Sequence, residues 1–176
     1  MSFAELISKR RSIRKFTDAP IKPEDVELIL KAGLKAPSSK NAKPWYFIAV
    51  EDKETLEKLS QSKKMGAKFL ADCPLAIIVA GDPLTSSVWI EDTSIAAIMM
   101  QLQAEDLGLG SCWVQIRERL TVQDTSSEEY IKDLLDIPMQ LQILCVIAIG
   151  NKAQDKAPIS DDSLTWDKVH IGKFKL

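Results

Sequence analysis

Apolar residues recur along the chain at two spacings, close to 3.6 for helices and close to 2 for strands, and these divide it into elements. Ser2 followed by Glu5 has the pattern of a capping box, so a short helix is expected to about Arg10. Residues 11–21 are polar and irregular. Pro23 suits the first turn of a second helix, in which Val26, Ile29, Leu30 and Gly33 share a face before Pro37 stops the pattern. Residues 45–50 are aromatic and β-branched and predict a strand. Leu56 and Leu59 after Asp52 mark another short helix, and residues 75–80, between Pro74 and Gly81, a buried strand.

The longest helical pattern covers residues 87–107, with Ile95, Ala96, Ile98, Met99, Met100 and Leu102 around most of its circumference. A helix apolar on nearly all sides must be buried on nearly all sides, which in so small a chain implies a core shared with a second subunit. Gly108 ends it. A short strand near 112–115, a helix capped by Ser126 with Glu129 three residues on, and a last strand at 141–149 complete the pattern. Without a regular βαβ rhythm, these elements predict an α+β fold or a mixed three-layer sandwich in one domain spanning 1–176. Residues 151–176 form a polar tail with scattered Leu164, Trp166, Val169 and Phe174, expected to lie on a partner subunit.

Composition narrows the chemistry. With 23 Lys plus Arg against 25 Asp plus Glu, the net charge of −2 argues against a nucleic-acid partner. The single histidine, His170, and the scattered Cys73, Cys112 and Cys145 contain no C-x-x-C pair, which excludes the usual zinc patterns and leaves nucleophilic catalysis little to rest on. An enzyme so equipped borrows its reactive group from a cofactor. Unspaced cysteines read as free thiols of a reducing compartment, and the longest apolar run, 143–149, is far short of the ~20 residues of a membrane helix. A cytoplasmic, soluble protein without a membrane partner is expected.

Three segments carry candidate chemistry. In Arg10, Arg11, Ser12 and Arg14, alternate residues of an extended chain project to one side, so two guanidinium forks and a hydroxyl can meet a phosphate monoester. A solvated basic turn fits the same spacing. The loop from Pro37 through Ser38, Ser39 and Asn41 to Pro44 and Trp45 is a rigid, hydroxyl-rich and amide-rich platform for a polar heteroaromatic ring, or else ordinary turn chemistry after a helix. Gly110 and Ser111, in the run Gly108 to Trp113, either end the long helix or bring bare backbone N–H groups to a flat ligand.

In order and spacing these segments resemble the nitroreductase family of FMN-dependent oxidoreductases: an R-R-S-x-R-x-F opening, a P-S-S-x-N-x-x-P-W loop, and a long helix running into G-L-G-S-C-W. The run Glu91 to Ala97, the strand end Ile149-Gly150 and the tail pair Val169-His170 match the family as well, so the likeness spans nearly the whole chain. It implies a three-layer α-β-α sandwich in an intertwined homodimer, with two FMN sites at the interface. Arg10, Arg11, Ser12 and Arg14 would hold the FMN phosphate and ribityl chain, Asn41 the flavin, Pro37, Ser38 and Ser39 the flavin of the other subunit, and Gly110 and Ser111 its reactive edge.

The activity implied is hydride transfer from NADH or NADPH through flavin to a nitroaromatic, quinone or similar conjugated acceptor in a ping-pong cycle, with no catalytic side chain and no metal. The alternative is a non-catalytic flavin-binding dimer, a redox sensor or flavin carrier. Its motive is a departure from the family: the basic pair that longer relatives place near the C-terminus is missing, and residues 153–166 offer only Lys156, with Lys152 just upstream. Lys43 also stands where glutamine is common. His170 is expected to pack or hydrogen-bond, and Cys112 to act as a small buried hydrophobe.

Overall fold

In the computed structural model, which describes residues 1–174, a four-stranded antiparallel sheet separates two helical layers. The strands are β1 (Trp45–Val50), β2 (Leu75–Gly81), β3 (Gly110–Gln115) and β4 (Gln142–Gly150), in the order β1-β2-β4-β3. The helices are α1 (Phe3–Lys9), α2 (Pro23–Leu34), α3 (Lys53–Leu59), α4 (Trp89–Asp106) and α5 (Ser127–Leu135). The expected α+β three-layer sandwich is therefore present.

β2 and β4 read as apolar runs because both of their faces are covered. Leu75, Ile77, Val79, Cys145, Ile147 and Ile149 point to the layer of α2 and α4. Ala76, Ile78, Ala80, Val146 and Ala148 point to the opposite layer, where Leu56, Leu59 and Ile131 of α3 and α5 are buried. A register shift between Val79 and Ala80 marks a bulge near the end of β2.

Local signals set the helix starts. Ser2 accepts from the Glu5 N–H while the Glu5 carboxylate accepts from the Ser2 N–H, completing the capping box. The Asp52 and Ser126 side chains accept from the N–H groups of Thr55 and Glu129. α2 lies close against α4 because Gly33 has no side chain: a Cβ there would stand 2.9 Å from Cγ of Met100.

The structure refines the reading of α4. Ala96, Ala97, Met100 and Ala104 are fully buried, whereas Ile95, Ile98 and Met99 remain 38%, 39% and 37% exposed. One stripe of the helix thus stays open within a single chain. Leu164, Trp166, Val169 and Phe174 of the tail are also exposed, as is Phe3. Among the described residues, no helix is long and apolar enough to cross a membrane.

Candidate active site

The segment after α1 is stitched to the far edge of the sheet. The Ile13 N–H donates to the Ser111 carbonyl at 2.9 Å, Ser12 pairs with Ser111 in a parallel bridge, and Phe16 pairs with Lys152 just beyond β4. Ile13 is buried, so alternation leaves its neighbours Ser12 and Arg14 on the opposite side. The Arg14 guanidinium rests over the Phe69 ring, 5.9 Å from its centroid. From the tail, the Lys156 amine donates to the Ser12 carbonyl at 2.7 Å.

The Cys112 thiol is the common neighbour of these groups. Burial pushes its pKa up, against the opposing influence of Arg14, the Ser12 hydroxyl, Lys156 and Arg10. Three cations and a hydroxyl therefore share one corner beside β3. Among the described residues, Arg10, Arg14 and Lys156 form no ion pair with a carboxylate. The donors of such a corner match in charge and geometry an anion with several acceptor oxygens.

Two other bases of this region are engaged elsewhere. Arg11 turns away, donating through Nη1 to the Ala157 carbonyl. Lys152 is paired with the buried Glu105 at 2.6 Å. Lys156, with nothing but its position in an irregular tail to mark it, is thus the tail base that reaches the corner.

The loop from Pro37 to Trp45 is built differently. Lys40, Asn41 and Lys43 have φ of 51°, 57° and 50°, in the left-handed region that L-residues other than Asn and Asp seldom adopt. Internal bonds help to hold it: the Ser38 hydroxyl accepts from the Lys43 N–H at 2.9 Å, and the Ser39 carbonyl from the Ala42 N–H at 2.9 Å. The external anchor is Asp92 in the first turn of α4. One of its oxygens accepts from the Ser39 N–H and the other from the Ser86 hydroxyl, each at 2.8 Å, and the residue is only 3% exposed. Ala36, Trp45 and Ala96 pack beneath the loop. Pro37, Ser39 and Asn41 are left facing solvent and Ser38 half-buried.

Gly110 and Ser111 prove to be the first residues of β3. A Cβ on Gly110 would stand 2.8 Å from Cγ2 of Ile13, so its missing side chain makes room for the Arg10–Phe16 segment. Ser111 uses its carbonyl for Ile13, and its hydroxyl accepts from the Gln101 amide at 3.2 Å. The pair secures the corner's backbone.

No hydrogen bond or ion pair among the described residues joins the loop to the corner. Asp92 and Gln101, which anchor them to α4, stand nine residues apart in sequence, about 14 Å of helix rise. Within one chain the sequence-predicted residues thus form two groups, Arg10, Ser12 and Arg14 at the corner and Pro37, Ser38, Ser39 and Asn41 at the loop.

Comparison with known proteins gives this geometry a context. The Nitroreductase family model matches residues 7–68 and 58–151. The chain belongs to the nitroreductase family. An FMN-dependent nitroreductase from Clostridium difficile R20291 is 44% identical and superposes with a TM-score of 0.96, over 98% of this chain and 100% of that one. The Archaeoglobus fulgidus protein named "Putative NADH dehydrogenase/NAD(P)H nitroreductase" is 35% identical over 175 residues, 97% of each chain. A Desulfovibrio desulfuricans protein solved in complex with FMN is 26% identical, with a TM-score of 0.77 over 98% of this chain and 97% of its own.

This nitroreductase-family chain keeps all three thiols inside. Burial pushes Cys73 up to about 12 and Cys145 well above the ordinary range, and Cys112 is raised as described. At about pH 8 the native protein should show no rapidly reacting thiol toward a chromogenic disulfide reagent, and three once unfolded in denaturant. One fast thiol in the native protein would contradict this burial. The raised values also fix a sign: above about pH 8.5 the unfolded thiols ionise while the folded ones do not, so their linkage lowers stability as pH rises.

Proposed function

We propose that the chain is an FMN-dependent oxidoreductase that takes hydride from NADH or NADPH and passes electrons to a nitroaromatic, quinone or similar conjugated acceptor in a ping-pong cycle. The observation that carries this reading is the corner of Arg10, Ser12, Arg14 and Lys156, three cations without a carboxylate partner. A phosphate monoester near pH 7 carries about −1.5 to −2 charge and three acceptor oxygens, which this donor set matches. The names of the relatives, with FMN and NAD(P)H in them, point the same way.

Bound FMN supplies hydride acceptance and donation; the chain's own residues hold and aim it. Arg14 and Arg10 offer planar forks to the phosphate, with Lys156 as a compact third charge. The Pro37–Trp45 loop presents Asn41 and Ser39 from a backbone already fixed by Asp92, so little ordering remains to be done on binding. No side-chain acid or base is needed beyond these contacts.

The active unit in this reading is a homodimer with two FMN sites at its interface. The separation of loop from corner supports it, because a loop from one subunit can serve a corner of the other. So does the open stripe of α4: Phe3, Met99 and Leu102 line a groove of about 300 Å³ with α1 and α2, and exposed Ile95 and Ile98 continue the apolar surface. Three free thiols agree with a cytoplasmic setting. The carrier reading was motivated by the absent basic pair, and Lys156 at the corner weakens that motive.

The test is to load the purified chain with FMN. One tightly held FMN per chain, a mass of two chains in solution, and NADH- or NADPH-dependent reduction of menadione or nitrofurazone are expected. A colourless protein that gains neither flavin nor NAD(P)H oxidation contradicts the proposal, and flavin binding without oxidation selects the carrier.

A further inference from the structure

The segment that carries Arg10, Ser12 and Arg14 belongs to no helix or strand, so its course is set by what it hangs from. At one end Ser12 and Ile13 are held by Ser111, the second residue of β3. At the other, Phe16 bridges Lys152, while the Thr17 N–H donates to the Asn151 carbonyl and the Ala153 N–H to the Lys15 carbonyl, each at 3.0 Å. Ser111 and Lys152 are therefore the two pegs of the corner.

Both pegs are gripped by side chains from one face of α4. The Gln101 amide donates to the Ser111 hydroxyl at 3.2 Å, and about one turn further on the Glu105 carboxylate accepts from the Lys152 amine at 2.6 Å. The grips are closed to water: Gln101, Glu105 and Ser111 are 4%, 5% and 2% exposed, and the Lys152 side chain 23%. Gly110 gives the Lys152 stem its place, since a Cβ there would stand 3.0 Å from Cγ of Lys152 as well as against Ile13.

Taking a carboxylate out of water is unfavourable, and a buried ion pair gives little stability over apolar side chains of the same shape. What it can add is direction, because the lysine head then ends at one place. Direction matters here, since Lys152 lines a cleft of about 290 Å³ together with Lys9, Arg11 and Lys156. Without Glu105 the Lys152 head would be free to swing away from its like-charged neighbours, and the peg that Phe16 hangs from would move with it. Asp155, the other acid of that cleft, forms no ion pair among the described residues, so Glu105 is the group that ties Lys152 down.

We propose that Glu105, with Gln101 beside it, is a positioning residue for the flavin phosphate: by fixing Lys152 against α4 it sets the course of the Arg10–Phe16 segment, and so aims Arg10, Ser12 and Arg14 at one anion. This rests on the FMN reading above. Glu105 is spent on Lys152 and acts on the cofactor only through that segment, so its effect follows the phosphate and not the flavin ring.

The experiment compares FMN with riboflavin, which keeps the ring and the ribityl chain and lacks the phosphate, by fluorescence titration of the full-length protein. Glu105→Gln should weaken FMN about tenfold and leave riboflavin within about twofold of wild type. The pair Glu105→Met/Lys152→Met separates position from stability. It should melt within about 3 °C of wild type, because apolar side chains of similar volume replace the ion pair, yet bind FMN about as weakly as Glu105→Gln does. An equal loss with riboflavin would show a general structural role, and unchanged FMN affinity, or its full recovery in the methionine pair, would show that the ion pair aims nothing; each of these results overturns the proposal. Should Glu105→Gln fold poorly, the methionine pair gives the same comparison of the two flavins. Failure of the underlying reading looks different, because then the wild-type protein itself binds FMN no more tightly than riboflavin.

Discussion

Replacing Arg14 with alanine should raise the dissociation constant for FMN by roughly ten- to a hundredfold, the cost of one charge-assisted hydrogen bond at about 1.5–3 kcal/mol. Arg14 lies over the Phe69 ring, which restricts the guanidinium and leaves its fork ready for an oxyanion. Arg14→Lys should recover only part of the loss, since a lysine keeps the charge without the fork. Arg10→Ala should behave like Arg14→Ala, and the two together should abolish retention of flavin through purification. Arg11→Ala is the control, because Arg11 is occupied with the Ala157 carbonyl on the tail. Fluorescence titration of FMN checks the series. A larger loss at Arg11 than at Arg14 would show that the corner has been assigned to the wrong arginine.

Asp92→Ala should produce the second large effect, on stability and flavin affinity together. The carboxylate is 3% exposed and accepts from both the Ser39 N–H and the Ser86 hydroxyl. Truncation leaves both donors without their acceptor in a closed site, a cost of about 1–3 kcal/mol. It also frees a loop in which Lys40, Asn41 and Lys43 are held at positive φ, conformations costing about 1–3 kcal/mol each that persist only under constraint from their surroundings. The loop should relax and FMN affinity fall about tenfold, since binding must then supply the ordering that Asp92 had supplied beforehand. Asp92→Asn keeps an acceptor for Ser39 and a polar group for Ser86, so it should restore most of both properties. Thermal unfolding and FMN titration of the two variants check this. An Asp92→Ala protein that melts earlier yet binds FMN normally would reduce Asp92 to a structural role.

How far the sequence alone carries the account can be judged from particular residues. Period and capping marked every element, because Ser2, Asp52, Ser126, Pro23 and the apolar runs of β2 and β4 act locally and leave a local trace. The Arg10–Arg14 cluster was legible for the same reason, as alternation in an extended segment. Asp92 was not: an acid in the first turn of a helix reads as a favourable partner of the helix dipole, and only its distance from Ser39 in space, 53 residues away in sequence, reveals the anchor. Lys156 lies in a tail without periodicity, so its contact with the Ser12 carbonyl, 144 residues distant, has no local sign. The space that Gly110 leaves for Ile13 of the N-terminal segment likewise has no local sign. Long-range contacts of this kind fix the site and leave the local pattern unchanged.

The most direct test of the central claim is to mix FMN-loaded protein with NADH, and separately with NADPH, under anaerobic conditions, and to follow the visible flavin absorbance. The account predicts complete bleaching by at least one donor within the time of a catalytic turnover, followed by full recovery when menadione or nitrofurazone is added. Flavin that stays bound and coloured in the presence of both donors would contradict it.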